Sequence, residues 1–289
     1  MSFLLRLVAL LPLRVLQLLG AAIGYITFKL APELRERTIS NLKQAGMFNE
    51  HLFERSGRGA GRQSLESIWV WYRDPKEVLK RVTIADSARA VIDRAMAQNR
   101  PIIFMTPHVG CFEVLPVWFA DTYFESTGRN LSLLYRPPKN KWLRKIVGNA
   151  RQAPGIVACP TTLSGVKTVI KNLRQGHTFG VLPDQVPSAG DGVWAPFFGK
   201  EAYTMVLPLR VAYQSDAIRI FAWSKRTQHG WELHAFEWDE PLTGDLPTDA
   251  AAMNAQIESI IRRMPEQYAW GYNRYKEPHG ARQRDNSHR

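Results

Sequence analysis

Cysteine is scarce in this chain. Only two cysteines, Cys111 and Cys159, occur in 289 residues, and they do not stand in the short spacing of a metal-binding pair. This scarcity argues against a disulfide scaffold and against a cysteine-ligated zinc site, and it fits a reducing compartment. We therefore expect no metal site.

Acidic residues are few relative to basic ones. The chain has 38 Lys and Arg against 26 Asp and Glu, which gives a formal net charge of +12. Such a surplus indicates a polyanionic partner, which could be nucleic acid, an anionic membrane, or a phosphorylated or acidic ligand. Internal repeats and low-complexity segments are absent, and a hydrophobic content of 45% excludes wholesale disorder.

The most apolar part of the chain is residues 1–30, and it also lacks two expected features. No small-residue cleavage site follows a short apolar core, so a removable signal peptide is not predicted. The uncharged run between Arg14 and Lys29 would span only ~21 Å as a helix, against a hydrocarbon core of ~30 Å. Arg6, Arg14 and Gln17 fall within about 80° on a helical wheel, as in a helix lying in the interface. We predict a membrane-associated helix and leave open whether it spans the bilayer or lies in its interface; an ordinary buried helix is the alternative.

A histidine and a glutamate follow a short apolar run in the first half of the chain. The run Ile102–Met105 follows Pro101 and precedes Pro107, so it predicts a buried strand. His108 and Glu113 come next, on a turn that enters a helix. The imidazole could take a proton from a hydroxyl while the carboxylate fixes its tautomer. Because five helical residues turn through about 140°, the two can meet only if His108 precedes the helix; otherwise His108 caps the helix and Glu113 interacts with its dipole.

Strands and helices alternate after this stretch. We predict strands at Leu131–Tyr135, Ile156–Cys159 and Thr178–Leu182, with helices between them at 141–152 and 163–173. This rhythm is typical of βαβ crossovers, so the fold class is α/β, with a mixed, largely parallel central sheet flanked by helices. The later runs Ile218–Trp223 and Trp231–Phe236 predict an antiparallel pair.

Three polar residues are predicted at the carboxyl ends of these strands: His108, Arg136 and Asp184. Sites in parallel sheets gather at this edge. An arginine there can hold a phosphate or carboxylate through paired donors, although a surface ion pair is its more common role.

Cys111 lies three residues from His108 and could be a covalent nucleophile. Its neighbours in sequence are apolar, and no adjacent cation lowers the pKa of its thiol, so we favour a small core residue.

Five sequence motifs can be compared with known families: His108-x-x-x-x-Glu113, Tyr135-Arg136-Pro137, Leu182-Pro183-Asp184-Gln185, the run Ala195-Pro196-Phe197-Phe198-Gly199, and residues 265–276, PEQYAWGYNRYK. In these motifs the chain resembles the late acyltransferases of lipid A biosynthesis, the lauroyl and myristoyl transferases of the lysophospholipid acyltransferase superfamily. These motifs run in order over nearly the whole chain.

This resemblance implies an O-acyltransferase that moves a fatty acyl chain from an acyl carrier protein thioester to a hydroxyl of a lipid A precursor. It implies His108 as general base oriented by Glu113, with Arg136 on a substrate phosphate and Asp184 positioning a site residue or the acceptor. Gln185 is expected to bind substrate beside Asp184. No cofactor is expected, because phosphopantetheine of the carrier protein carries the acyl group. The expected partners are the carrier protein, the lipid A precursor and an anionic membrane, at the cytoplasmic face of a bacterial inner membrane.

Other functions stay open. Another glycolipid or phospholipid, such as a phosphatidylinositol mannoside, could be the acceptor, or the protein could be a non-catalytic membrane-interaction protein of the same fold. A nucleic-acid-binding module is disfavoured because no binding motif of that kind occurs. We expect an acyltransferase domain at residues 31–278 and a disordered basic tail at 279–289. Acyl chain length, the position acylated and the oligomeric state do not follow from the sequence.

Overall fold

A seven-stranded sheet forms the centre of the protein in the computed structural model, which describes residues 2–135 and 154–281. The strands in those residues are β1 (Val82–Ile84), β2 (Ile102–Met105), β3 (Leu131–Tyr135), β4 (Ile156–Pro160), β5 (Thr178–Val181), β6 (Gly192–Phe197), β7 (Lys200–Met205), β8 (Ile218–Arg226) and β9 (Trp231–Glu237). The central sheet has the order β1-β9-β8-β2-β5-β3-β4. Strands β2, β3, β4, β5 and β8 are parallel, whereas β9 pairs antiparallel with β8. The mixed, largely parallel sheet and its antiparallel pair are thus confirmed.

Helices cover both faces of this sheet. Those in the described residues are α1 (Ser2–Leu10), α2 (Leu13–Leu30), α3 (Pro32–Gln44), α4 (Glu50–Tyr72), α5 (Pro75–Leu79), α6 (Asp86–Ala97), α7 (Val114–Phe119), α8 (Glu125–Thr127), α9 (Leu163–Arg174), α10 (Leu207–Tyr213) and α11 (Leu246–Arg263). A π-helical turn, Ala120–Phe124, joins α7 to α8, and a 3₁₀ turn, Pro265–Gln267, follows α11. The predicted helix at 141–152 lies outside the described residues.

Strand β2 shows why the sheet is sandwiched between helices. Its residues alternate between two apolar cores: Ile103 and Met105 join one with residues of α3, α9 and α11, and Ile102 and Phe104 join the other with residues of α6 and α7. A strand buried on both faces needs apolar residues at successive positions, which is the pattern that predicted it.

The register of β2 and β5 places the two strand ends side by side. Met105 pairs with Val181 in the parallel ladder, and the N–H of Thr106 extends it by donating to the carbonyl of Val181 at 2.9 Å. The residues that follow both strands therefore emerge at the same edge of the sheet, in its middle.

The sequence predicts that Gly57–Gly61 interrupt the helical pattern of residues 33–72, but helix α4 runs continuously through these glycines. Gly57 and Gly61 of α4 face Gly20 and Gly24 of α2, and a Cβ on Gly20 would lie 2.6 Å from the carbonyl oxygen of Gly61. Glycine lowers helix propensity by about 1 kcal/mol, but here its missing side chain lets two helix backbones touch. The close packing of α2 on α4 accounts for these glycines, so the predicted break was wrong.

Two further predictions differ from the structure. The apolar residues 2–30 form two helices, because Pro12, which has no N–H to donate, stands between α1 and α2. The glycines of residues 187–199 predict a loop there, but this segment contains β6, which pairs with β7 as a separate hairpin. Phe198 and Gly199 make its turn, both with positive φ, and a turn of that kind matches the twist of paired strands.

Candidate active site

His108 stands just beyond the carboxyl end of β2, before α7 begins at Val114. Its loop is held by the segment 265–276, which we name the C-terminal strap. Ala269 donates its N–H to the carbonyl of His108 at 3.2 Å, and Gly110 donates to the carbonyl of Gln267 at 3.0 Å. A Cβ on Gly110 would collide with the carbonyl oxygen of Ser224, and its φ of 60° also favours glycine. The loop is therefore fixed between β8 and the strap.

Asp184 binds His108 through both of its carboxylate oxygens. Nδ1 of the imidazole lies 2.7 Å from Oδ1, and the backbone N–H of His108 donates to Oδ2 at 2.9 Å. Side-chain exposure is 2% for Asp184 and 15% for His108, so the carboxylate is sealed from water while the ring stays reachable. Asp184 comes to this place because β5 ends beside β2.

The charge on Asp184 is stabilised where it lies. Burial by itself raises the pKa of its carboxyl, but attraction to His108, the hydrogen bonds from His108 and the positive charge of Arg274 outweigh burial, so the pKa lies below its ordinary value. An ionised carboxylate can only accept, so the proton between it and Nδ1 belongs to the ring. That tautomer leaves the lone pair on Nε2.

Gln185 occupies the other side of the ring. Its Nε2 lies 3.1 Å from His108 Nε2. With the ring proton on Nδ1, the amide N–H of Gln185 is the donor and the imidazole nitrogen accepts. The position of this amide shows where a second hydrogen-bonding group, such as a hydroxyl, can reach Nε2.

Glu113 occupies a different place from the one the sequence predicts. It is buried, with 7% exposure, on the turn before α7, and it lines an apolar cavity with Thr106 and Phe112. The contact at Nδ1, which the sequence interpretation gives to Glu113, is made by Asp184. The reason is topological: two neighbouring parallel strands bring Asp184 to His108, whereas Glu113 follows His108 on the turn into α7.

Arg136, the predicted phosphate ligand, lies outside the described residues and stays a prediction. Strand β3, which precedes it, pairs in parallel with β5 through Leu131 and Thr178. The carboxyl ends of β2, β5 and β3 thus share the edge at which His108 and Asp184 meet.

An apolar cavity adjoins His108. Phe112 lines it, and the Phe112 ring meets the imidazole edge-on with centroids 4.9 Å apart. Its other walls come from the sheet and from α6 and α7, and include Phe104, Gly180, Leu133, Trp118 and Ile92. The lining suits a hydrocarbon chain.

Arg274 of the strap is a functional candidate that sequence reasoning quoted only within a motif. It is 2% exposed and donates to the carbonyl of Tyr203 at 3.0 Å and to Oγ1 of Thr204 at 2.8 Å. Burial lowers its pKa, and the negative charge of Asp184 acts in the opposite direction. The buried cation of Arg274 thus interacts electrostatically with the buried carboxylate that holds His108. In the sequence, Arg274 stands out as an arginine in an otherwise aromatic stretch, but the sequence does not indicate that it lies near Asp184.

Cys111 is fully buried, and burial raises the pKa of its thiol well above the ordinary value. A thiol that stays protonated and out of contact with solvent is a poor nucleophile. Its place in the core next to α7 agrees with the interpretation of Cys111 as a packing residue.

Within residues 2–135 and 154–281, no three or more His, Cys, Asp or Glu side chains come together in a way that could hold a metal ion. His108 and Asp184 face each other and leave no third ligand of these types between them.

A family model described as bacterial lipid A biosynthesis acyltransferase matches residues 1–277. Among similar proteins, the lipid A biosynthesis acyltransferase of Haemophilus influenzae is 26% identical over 183 residues, which are 62% of this chain and 55% of that protein. The lipid A biosynthesis myristoyltransferase of Escherichia coli is 23% identical over 203 residues, covering 68% of this chain and 60% of the relative. The E. coli lipid A biosynthesis palmitoleoyltransferase is 24% identical over 285 residues, covering 92% and 86%.

The alignments thus span little more than half of the first two relatives and most of the third. The family model covers nearly the whole chain and includes the His108 loop, Asp184 and the strap. The chain therefore belongs to the bacterial lipid A biosynthesis acyltransferase family.

Proposed function

We propose that this protein transfers a fatty acyl chain from an acyl carrier protein thioester to a hydroxyl of a lipid A precursor. The observation that carries the proposal is the His108–Asp184 pair, joined at 2.7 Å, beside a cavity lined by apolar side chains. A base and a hydrocarbon site in contact are what acyl transfer to a hydroxyl needs. Membership in the family gives the reaction class.

In this mechanism His108 is the general base. Its Nε2 takes the proton of the acceptor hydroxyl as the hydroxyl oxygen attacks the thioester carbonyl carbon. The resulting imidazolium keeps its Nδ1–H on Asp184, whose negative charge stabilises it. General-base assistance of this kind is worth roughly 10²–10⁴-fold in rate.

Collapse of the tetrahedral intermediate breaks the carbon–sulfur bond. The leaving thiolate of phosphopantetheine receives the proton that His108 took from the hydroxyl. The products are the new ester and the free thiol of the carrier protein, and His108 returns to its starting state. No residue becomes acylated, which agrees with the burial of Cys111.

The remaining polar residues have supporting roles. Asp184 orients His108, and Gln185 yields its place at Nε2 to the acceptor hydroxyl and then binds substrate. Glu113 lines the cavity, as Thr106 does, and is proposed to position the thioester end of the chain. Arg136 is proposed to hold a phosphate of the acceptor.

Charge and hydropathy support the proposed donor and its location. An acidic carrier protein is attracted by a chain with a net charge of +12, through long-range steering. The same charge attracts anionic lipid at the cytoplasmic face of the inner membrane, where donor and acceptor can meet. Helix α2 is long and apolar enough to cross a membrane by length and composition.

The test is an acyl-transfer assay with the purified protein in detergent micelles. Acyl carrier protein thioesters of several lengths are offered with a Kdo-bearing tetra-acylated lipid A precursor, and product is measured by mass spectrometry. His108→Ala runs alongside, with circular dichroism to show that it is folded. We expect transfer by the native protein and none by the variant.

Each other outcome changes one part of the proposal. Transfer by His108→Ala at a near-native rate rejects the general base. Transfer from acyl-coenzyme A but not from the carrier protein rejects the donor. Transfer only to another glycolipid or phospholipid rejects the acceptor, and no transfer to any lipid by folded protein supports the non-catalytic alternative.

A further inference from the structure

The first two helices present an apolar face to solvent. In the described part of the chain, nine of the eleven exposed large hydrophobic side chains belong to α1, α2 or the turn between them. We name this set the apolar face: Leu7, Leu10, Leu11, Val15, Leu18, Leu19, Ile23, Ile26 and Leu30. Exposure reaches 68% at Leu18 and 76% at Leu30. A continuous apolar patch on a soluble surface marks a binding site for protein or membrane.

The opposite side of α2 is built into the protein. Besides the glycine contacts, buried Gln17 donates to Glu66 Oε1 at 2.8 Å, and Glu66 is held by Arg226 of β8 through two contacts of 2.6 and 2.7 Å. At the other end of α2, Lys29 pairs with Glu54 at 3.5 Å. Before α2 begins, the indole N–H of Trp69 reaches the carbonyl of Leu11 at 3.2 Å.

These contacts show that α2 and α4 lie antiparallel along their whole shared length. The start of α2 meets the end of α4 near Trp69, and the end of α2 meets the start of α4 near Glu54. If α2 crossed a bilayer in this arrangement, α4 would enter the hydrocarbon beside it.

Entry of helix α4 into the hydrocarbon would carry a large free-energy cost. Along the stretch that faces α2 it carries Glu54, Arg55, Arg58, Arg62 and Glu66. A charged side chain at the centre of a membrane helix is strongly disfavoured, because it loses its hydration. Length alone makes α2 a candidate span, but its partner helix excludes that arrangement.

Cations border the apolar face. Arg6 and Arg14 are exposed among its residues, and Lys29 is exposed at its far end. Lys29 and Arg58 lie on the ring of Tyr25, 4.5 and 4.4 Å from its centroid. Apolar side chains flanked by Arg and Lys match the acyl region and anionic headgroups of one leaflet.

We propose that the apolar face of α1 and α2 lies flat in one leaflet of an anionic bilayer, and that α2 does not cross it. The apolar side chains enter the acyl boundary, Arg6, Arg14 and Lys29 meet lipid phosphates, and α4 stays on the aqueous side. The inference concerns the mode of membrane binding and does not depend on the acyl-transfer chemistry.

Depth measurements test it directly. Single cysteines replace Val15, Ile23 and Leu30 in the full chain and carry a nitroxide label, in vesicles of phosphatidylcholine and phosphatidylglycerol; Cys111 and Cys159 are buried and stay unlabelled. A helix lying flat puts all three labels at one shallow depth, about 5–10 Å into the boundary. A label at Ile23 near the bilayer centre, with Val15 and Leu30 nearer to opposite surfaces, would overturn the proposal.

Vesicle flotation supplies the second test. Leu18→Asp should weaken binding on the order of tenfold or more, because it puts a charge where the proposal places a leucine side chain in the acyl boundary. The matched control is Leu163→Asp, because Leu163 is 83% exposed but lies on α9 and is not part of the apolar face. Equal loss of binding in both variants would contradict the proposal, as would unchanged binding of Leu18→Asp.

The same variants separate a bilayer from a second copy of the chain. Without lipid, sedimentation reports self-association through the apolar face. If native protein stays self-associated when vesicles are added, with labels that show no lipid depth, the face is a protein interface and the proposal is wrong. Both readouts are independent of turnover, so failure of the acyl-transfer proposal leaves this test intact.

Discussion

Asp184 binds His108 through both carboxylate oxygens. Its Oδ1 lies 2.7 Å from Nδ1 of the ring, and its Oδ2 accepts a hydrogen bond from the backbone N–H of His108 at 2.9 Å. One carboxylate thereby fixes both the ring and the main chain that carries it. The side chain cannot rotate away without losing a buried charge-assisted hydrogen bond. The arrangement holds Nε2 towards the open side of the site, where Gln185 now lies.

Replacing Asp184 by Asn should reduce kcat far more than it reduces stability. The amide keeps the size of the carboxylate but removes the charge that stabilises the imidazolium, and it can reverse the ring tautomer. We expect kcat to fall roughly 10²–10⁴-fold. The control is Gln185→Ala, which should mainly raise KM for the acceptor. Near-native kcat in Asp184→Asn would contradict the orienting role.

Acid stability should reveal the depressed pKa of Asp184. The unfolded chain binds the proton more tightly than the native one, so the contribution of this carboxylate is fully present above the unfolded pKa of about 3.9. It is lost as the pH falls further, through the lower pKa of the folded state. In urea unfolding, native protein should be more stable than Asp184→Asn at neutral pH, and the difference should shrink below about pH 4. A difference in stability that grows on acidification would contradict a lowered pKa of Asp184 in the folded protein.

Cys111→Ala should remain active. The thiol is buried, with a raised pKa, so direct transfer does not need it. The matched control is Cys159→Ala, since Cys159 is also buried and its pKa is also raised by burial. Activity and iodoacetamide labelling, followed by mass spectrometry, provide the measurement. Loss of turnover in Cys111→Ala alone, with the fold intact, would point to a covalent acyl-enzyme.

The ion pair of Glu66 and Arg226 should be costly to break. Their side chains are 0% and 7% exposed, so Glu66→Gln leaves a guanidinium buried without its counter-charge. We expect a loss of about 3–5 kcal/mol in the free energy of unfolding, measured in urea. Replacing both residues, as Glu66→Met with Arg226→Met, should recover much of it. The control is Glu77→Gln in the exposed pair with Lys80, which should change stability little.

Gly180→Val should shorten the acyl chain that the cavity accepts. Gly180 lines the cavity from β5, and even a Cβ there would lie 2.7 Å from Cδ2 of Leu133. The added side chain narrows the cavity, so kcat/KM should fall most for the longest donors. Ala222→Val, on a different part of the lining, should shift the preference in the same direction. Equal losses for all donor lengths would mean that the acyl chain binds elsewhere.

Most of the sheet and part of the site follow from the sequence. Runs such as Ile102–Met105 are apolar at every position because both faces of the strand are buried, and that pattern is visible without a structure. The rule that parallel strands collect sites at their carboxyl ends brought His108 and Asp184 to one edge. The spacing of residues does not show which strands are neighbours in the sheet. The sequence interpretation therefore paired the imidazole with Glu113, which is the nearer carboxylate along the chain.

The remaining misses arise from contacts between distant segments. The glycines of α4 lower helix propensity, and their role, which is to let the backbone of α2 pack closely, is visible only in the folded structure. Pro196 and the glycines around β6 indicated a loop, whereas pairing with β7 makes a hairpin. Arg274 lies far from Asp184 in sequence, and their electrostatic relation exists only in the folded chain. Local patterns carry none of this information.

The glycine contact between α2 and α4 also has a consequence for synthesis on the ribosome. The chain emerges from its N-terminus, so α1 and α2 leave the ribosome before α4 is complete. Until α4 has been synthesised, α2 exposes the side that carries Gly20 and Gly24 as well as the apolar face. At that stage α2 is a hydrophobic segment with no packing partner. Docking of α4 covers one side and brings Glu66 to Gln17. The later helix therefore determines which surface of the earlier helix stays exposed in the folded protein.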